Sequence, residues 1–130
     1  KGIFQTREHR YGIKARLNKV ATLGDYIFID LSFYNKSNIG YDIDQLSFSL
    51  EDKKIAKATN SQSVPIVPDV SLFDTGSFKR LYRNVFVFKK FTFPGNKILK
   101  VQLSEKQLSG RSISFPIRYS DVLDADAIVY

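Results

Sequence analysis

The chain has 130 residues, formal charge +7, 11 Phe and 7 Tyr, and no Cys, Met or Trp. That length holds one core and buries roughly two-thirds of the unfolded surface, which suffices without staples. The missing cysteine excludes disulfides, thiolate metal sites and a Cys nucleophile, and the aromatic-rich balance favours strands.

Lys1 to Arg10 is polar apart from Ile3 and Phe4 and reads as an N-terminal arm. With no methionine in the chain, Lys1 reads as the cut end of a longer or processed precursor, so targeting is not legible here. Tyr11, Ile13, Ala15 and Leu17 alternate with polar residues, as a strand with one buried face does. Gly24-Asp25 gives a tight turn into a strand over Tyr26–Tyr34, where Ile27, Ile29, Leu31 and Phe33 share one face. The polar link Asn35-Lys36-Ser37-Asn38-Ile39-Gly40 has turn chemistry. Leu46, Phe48 and Leu50 alternate beyond it, so the two strands read as an antiparallel hairpin whose register the link sets.

Glu51-Asp52-Lys53-Lys54 reads as a charged turn before a short strand from Ile55 to Thr59. Residues 60–79 are rich in Ser, Pro, Asp and Gly, and Pro65 and Pro68 remove two ladder donors. Only edge pairing or an ordered loop fits there. Arg80 to Lys89 returns to strand, with Val85-Phe86-Val87-Phe88 apolar on both faces. That run fits a strand covered on both sides, or one with a face left for a partner. Pro94-Gly95-Asn96 marks a turn, and Leu99, Val101 and Leu103 form a strand. Ile113, Phe115 and Ile117 form the last strand, made an edge by Pro116. The tail carries Asp121, Asp124 and Asp126 and has a helical turn capped by Ser120 or Asp121. About seven to nine short strands spaced by turns give an all-β fold, an immunoglobulin-like antiparallel sandwich over residues 11–117. An arm over 1–10 and a tail over 118–130 flank it.

Catalytic chemistry is hard to assemble from these residues. His9 is the lone histidine and sits in the arm, away from any rigid triad. Asp42 and Asp44 share one strand face, with no further oxygen cluster nearby in sequence to complete a calcium site or a glycosidase pair. The reading is a non-enzyme without cofactor or metal.

Positive charge is uneven: residues 51–100 hold ten Lys/Arg against four acids, and residues 101–130 three against four. Lys79, Arg80, Arg83, Lys89 and Lys90 form a candidate basic surface among Tyr82, Phe86, Phe88 and Phe91. Single-strand nucleic-acid binders combine such groups, but aromatics at strand spacing read as core, so direct nucleic-acid contact is not expected. Candidate partner-binding edges are the Pro-rich segment, through Val64, Ile66, Val67, Leu72 and Phe73, and the last strand, through Ile113, Phe115 and Ile117.

The segment Asn35 to Asp44 resembles the core signature of the TraN family of Bacteroidetes conjugative transposons. Tyr11-Gly12-Ile13-Lys14, Leu17-Asn18, Asp52-Lys53-Lys54, Ala56-Lys57 and Thr59 extend the likeness. So do Lys90-Phe91-Thr92, Pro94, Val101-Gln102-Leu103, Glu105-Lys106 and Gly110-Arg111. Ser61–Ser77 and the tail after Arg118 depart from it. The resemblance implies a structural subunit of a conjugation apparatus, similar to the ninth VirB protein of type IV secretion. The chain would then be the C-terminal domain of a longer periplasmic protein at the outer membrane. Its implied partners are other transfer proteins, a small lipoprotein among them, and further copies of itself; it implies no catalytic residue. The rival from another class is an envelope carbohydrate-binding module with Tyr26, Tyr34, Tyr41 and Tyr82 as a sugar platform.

Overall fold

A computed structural model describes residues 5–53, 62–108 and 110–128. The strands are β1 (Gln5–Arg10), β2 (Ile13–Leu23), β3 (Tyr26–Asn35), β4 (Tyr41–Asp52), β5 (Ser63–Pro65) and β6 (Val70–Ser71). They continue as β7 (Ser77–Phe78), β8 (Leu81–Lys89), β9 (Lys97–Glu105), β10 (Ser112–Arg118) and, after helix α1 (Tyr119–Leu123), β11 (Asp126–Ala127). One sheet runs β1-β2-β3-β8-β6, with β11 parallel to the second half of β2; the other runs β10-β9-β4-β5, with β7 on β4. The immunoglobulin arrangement pairs strands A-B-E-D and C-F-G. Here β2-β3-β8-β6 and β4-β9-β10 take those places in order, so the fold is an immunoglobulin-like all-β sandwich.

The alternation read from the sequence sets the core. Ile13, Ala15, Leu17, Ile27, Ile29, Leu31 and Phe33 from the first sheet meet Phe48, Leu99, Val101, Leu103, Ile113, Phe115 and Ile117 from the second. Phe48 sits edge-on to Phe86 and Phe88 at 5.0 and 4.9 Å between centroids, which adds aromatic geometry to area burial.

Several expectations change. The strands flanking Asn35–Gly40 are not a hairpin: β3 pairs with β2 and β8, whereas β4 belongs to the facing sheet. Period-2 patterning fixes which face is buried but not which strand lies alongside. The link is therefore a corner between sheets. Gln5–Arg10 is not a free arm, because it pairs with β2 through Tyr11-Gly12. Both turn residues have positive φ, as a two-residue type I′ turn requires, so Tyr11 belongs to the turn and not to the strand. Asp52 extends β4 and pairs with Lys97 across the ladder, so the charged turn begins later. The tail is built into the fold. Asp121 accepts a hydrogen bond from the Arg118 amide at 2.9 Å from inside α1, and β11 joins the first sheet. The strand expected from Ile55 to Thr59 lies outside the described residues.

Residues 62–78 close one side of the sandwich. They pair first with the end of β4, then with β8, then with the start of β4. These are the short edge pairings that Pro65 and Pro68 permit.

Candidate partner-docking site

The outer face of the first sheet carries the site, and β8 supplies its centre. Along β8 the inward set is Tyr82, Asn84, Phe86 and Phe88; the outward set is Leu81, Arg83, Val85 and Val87. Val70 of β6 lies opposite Val87, and the Leu72 amide donates to the Val85 carbonyl at 3.0 Å. Among the described residues no element covers this strip. The doubly apolar run of β8 is thus packed inside and open outside. Val70, Leu72, Phe73 and Leu81 are each between 52% and 60% exposed.

Phe73 is held in place. β6 ends at Ser71, and the buried Asn84 side chain takes over as a backbone partner. Its Oδ1 accepts from the Phe73 amide at 3.0 Å, while its Nδ2 donates to the Phe73 carbonyl at 2.7 Å and to the Tyr82 hydroxyl at 2.7 Å. Burial raises the Tyr82 pKa above its ordinary value. With its backbone satisfied internally, the turn projects Leu72 and Phe73 beside Leu81, Tyr82, Val85, Arg83 and Asp74 around a groove of about 580 Å³.

A second cavity of about 420 Å³ adjoins it and shares Leu81 and Arg83. It is lined further by Arg16, Asn18, Lys19, Asp30, Ser32 and Tyr34. A register shift in β2 between Leu17 and Lys19 leaves Asn18 as the extra residue of a β-bulge. There it donates to Asp30 at 3.0 Å and Ser32 at 2.6 Å. Arg83 grips Asp30 with both ends of its guanidinium, at 3.0 and 2.6 Å, which raises the Arg83 pKa further.

The residues expected to bind partners separate. Leu72 and Phe73 line the groove, and Val64 and Val67 are exposed elsewhere on the closing segment. Ile66 packs on the core. Ile113, Phe115 and Ile117 are core residues. β10 is the outer strand of its sheet, as Pro116 signalled, but its apolar side chains point inward and β1 of the other sheet lies beside it.

The basic residues do not form one surface. Arg80 donates to the Asn35 and Ser37 carbonyls at the corner, and Arg83 pairs with Asp30 on the sheet face. Lys89 and Lys90 lie at the far end of β8, where Lys90 is near Asp25; Lys79 is exposed beside Arg80. The tyrosines proposed as a sugar platform are likewise dispersed. Tyr41 is fully buried, Tyr34 stacks under Arg16, and Tyr26 stands at the other end of β3. Asp42 accepts a hydrogen bond from Ser77 at 2.5 Å, and among the described residues no acidic or histidine group has the makings of a metal site. Sequence reading missed Asn84, Arg16 and Asn18. The in-phase set Leu81, Arg83, Val85 was a usable signal for the face, but nothing announced the bulge.

The link Asn35–Gly40 is braced from the facing sheet. Arg111 bonds the Ser37 hydroxyl and the Ile39 and Gly40 carbonyls at 2.9, 3.2 and 3.0 Å, and pairs with Glu105 at 2.8 Å. The Tyr41 hydroxyl donates to the Arg111 carbonyl at 2.5 Å, and the Arg111 guanidinium lies 5.0 Å from the Tyr41 ring centre. Hydrogen bonds from Arg111 hold the Glu105 carboxyl below its usual pKa, whereas burial pushes the Tyr41 hydroxyl well above the tyrosine range.

No curated protein matches the chain by sequence. Among solved structures, Spo0M, the sporulation control protein from Bacillus subtilis, is similar at TM-score 0.46 and 16% identity, over 91% of this chain and 49% of that one. The chain thus spans about half the length of that protein. Residues 1–127 match the family described as a domain of unknown function, DUF4138, and the chain belongs to that family.

Proposed function

We propose that this chain is a non-catalytic assembly domain that receives a partner protein on the outer face of β3, β8 and β6. The observation that carries the reading is the exposed strip of Val70, Leu72, Phe73 and Leu81, with the Phe73 backbone held by the buried Asn84. Holding apolar side chains in water costs free energy unless a partner covers them, and contiguous exposed apolar patches mark interaction sites. The setting comes from the resemblance to the TraN family: a conjugative transfer complex of the type IV secretion kind, in the periplasm at the outer membrane. In that setting the partners are other transfer proteins, and the chain's own copies in the assembled complex. No helix among the described residues is long and apolar enough to cross a membrane, so any span lies elsewhere or uses strands.

The test is co-purification of the full-length protein from detergent-solubilised donor-cell envelopes, comparing the native chain with Leu72→Ser/Phe73→Ser. Both positions are exposed, so the double variant keeps its fold. The native protein brings down transfer-operon products and the variant loses them. Recovery of the native protein alone, or unchanged recovery with the variant, contradicts the reading.

A further inference from the structure

Three connections meet at one end of the sandwich, and each carries an exposed apolar side chain. The β1–β2 turn holds Tyr11, the Asn35–Gly40 link holds Ile39 and the β9–β10 turn holds Leu108; they are 54%, 71% and fully exposed. Hydrogen bonds tie these connections together. The Lys36 amide donates to the Gly12 carbonyl at 2.7 Å, and Arg111, where the β9–β10 turn ends, donates to the Ile39 carbonyl at 3.2 Å. Apolar residues scattered singly over a surface need no explanation, but three on adjoining tips do.

Tyr11 is an independent pointer to the same end. It takes φ 55° at the first central position of its type I′ turn, where Asn, Asp or Gly is the usual residue. The β2–β3 turn uses Gly24 at φ 57° for that conformation. A tyrosine meets a steric cost there, and it holds this one with its ring in water. Strain kept at an exposed side chain points to a use for that side chain. Charge gives the use its sign. Residues 9–13, 35–41 and 106–111 contain no Asp or Glu but hold Arg10, Lys36, Lys106 and Arg111. Arg10 lies over the Tyr11 ring at 5.1 Å, Lys36 and Lys106 are exposed, and Arg80 reaches the link from beside Lys79. Of the acids that flank these connections, Glu105 is paired with Arg111 and Asp42 accepts from Ser77, which leaves Asp44 exposed.

We propose that this end of the domain is a contact site for an anionic lipid surface. Tyr11, Ile39 and Leu108 enter the headgroup region, and Arg10, Lys36 and Lys106 meet lipid phosphates. Convex tips within a cationic collar suit a fluid surface that closes around separate apolar points, whereas a protein partner would need a matching set of hollows. Tyrosine fits that layer, with its ring in the apolar part and its hydroxyl in water. The tips lie at the end of the sandwich and not on the strip of β6 and β8, so the site stands independently of the docking reading.

The probes are vesicles of phosphatidylcholine alone, or of equal parts phosphatidylcholine and phosphatidylglycerol, mixed with the purified chain and sedimented. The chain binds the anionic vesicles and stays in solution with the neutral ones, and added salt weakens the binding. Tyr11→Asn/Leu108→Ser binds about tenfold more weakly, the scale of keeping such side chains out of an apolar layer. Tyr11→Asn alone keeps the native Tm or raises it, because Asn suits the left-handed turn, and still binds more weakly. Lys36→Gln and Lys106→Gln each weaken binding about fivefold. Leu72→Ser/Phe73→Ser binds vesicles as the native chain does. Failure to bind the anionic vesicles, or equal binding to both kinds, overturns the proposal. So does undiminished binding by Tyr11→Asn/Leu108→Ser, which would mean adsorption through net charge alone. Loss of binding in Leu72→Ser/Phe73→Ser would move the contact to the β8 face and overturn it as well.

Discussion

Single side chains do the positioning in this domain, and Arg111 does most of it. It closes the corner between the sheets by serving a hydroxyl and two carbonyls of the Asn35–Gly40 link while paired with a Glu105 whose side chain is only 6% exposed. Removing one partner of such a pair strands the other charge, so Arg111→Ala lowers unfolding stability by about 3 kcal/mol in a urea titration. Tyr41→Phe, which leaves the Arg111 carbonyl without its 2.5 Å donor, costs about 1–2 kcal/mol. The Glu105 contribution depends on pH. Its folded pKa is lowered by Arg111, so the stabilisation is present above the unfolded carboxyl value near ~4.3 and fades as pH falls through the folded one. Glu105→Gln therefore destabilises at pH 7 and matches the native chain in strong acid; an equal deficit at both pH values would contradict the assignment. These residues hold the fold rather than a ligand site.

Elements show where sequence reading stops. β2, β3, β4, β9 and β10 were legible because Ile13 to Leu17, Ile27 to Phe33 and Leu99 to Leu103 alternate cleanly. β1 was not, since its polar residues carry no apolar period at a sheet edge, and its hairpin depends on Tyr11 and Gly12 adopting positive φ. The pairing of β3 with β8 across a long insertion is a non-local choice that no local pattern encodes. The site was half legible. Leu72 and Phe73 stood out as apolar residues in a polar stretch, but the Asn84 clamp and the Asn18 bulge arise only when distant strands meet. Asn84→Ala removes both backbone partners of Phe73 and costs about 2 kcal/mol by chemical denaturation. It also speeds amide exchange at residues 72–75 more than elsewhere. Gly110 makes a sharper test of the β9–β10 turn, because a Cβ there would sit 2.6 Å from the Glu105 carbonyl oxygen. Gly110→Ala must move the turn, and the Arg111–Glu105 pair loosens with it.

The immunoglobulin-like class of the whole molecule was readable from short strands and regular turns, whereas the use of its faces was not. Both sheets bury one face against the other. What distinguishes the outer face of β3, β8 and β6 is that apolar and cationic cavities meet there, beside the segment that closes the sandwich. The central claim is that this face meets the partner. Its most direct measurement is photo-crosslinking in donor cells, with a benzophenone side chain placed at Phe73 or, as the control, at Gln102 on the exposed outer face of β9. The account predicts a discrete adduct with another transfer protein from position 73 and none from position 102. Adducts from 102 alone, or equally from both, contradict it.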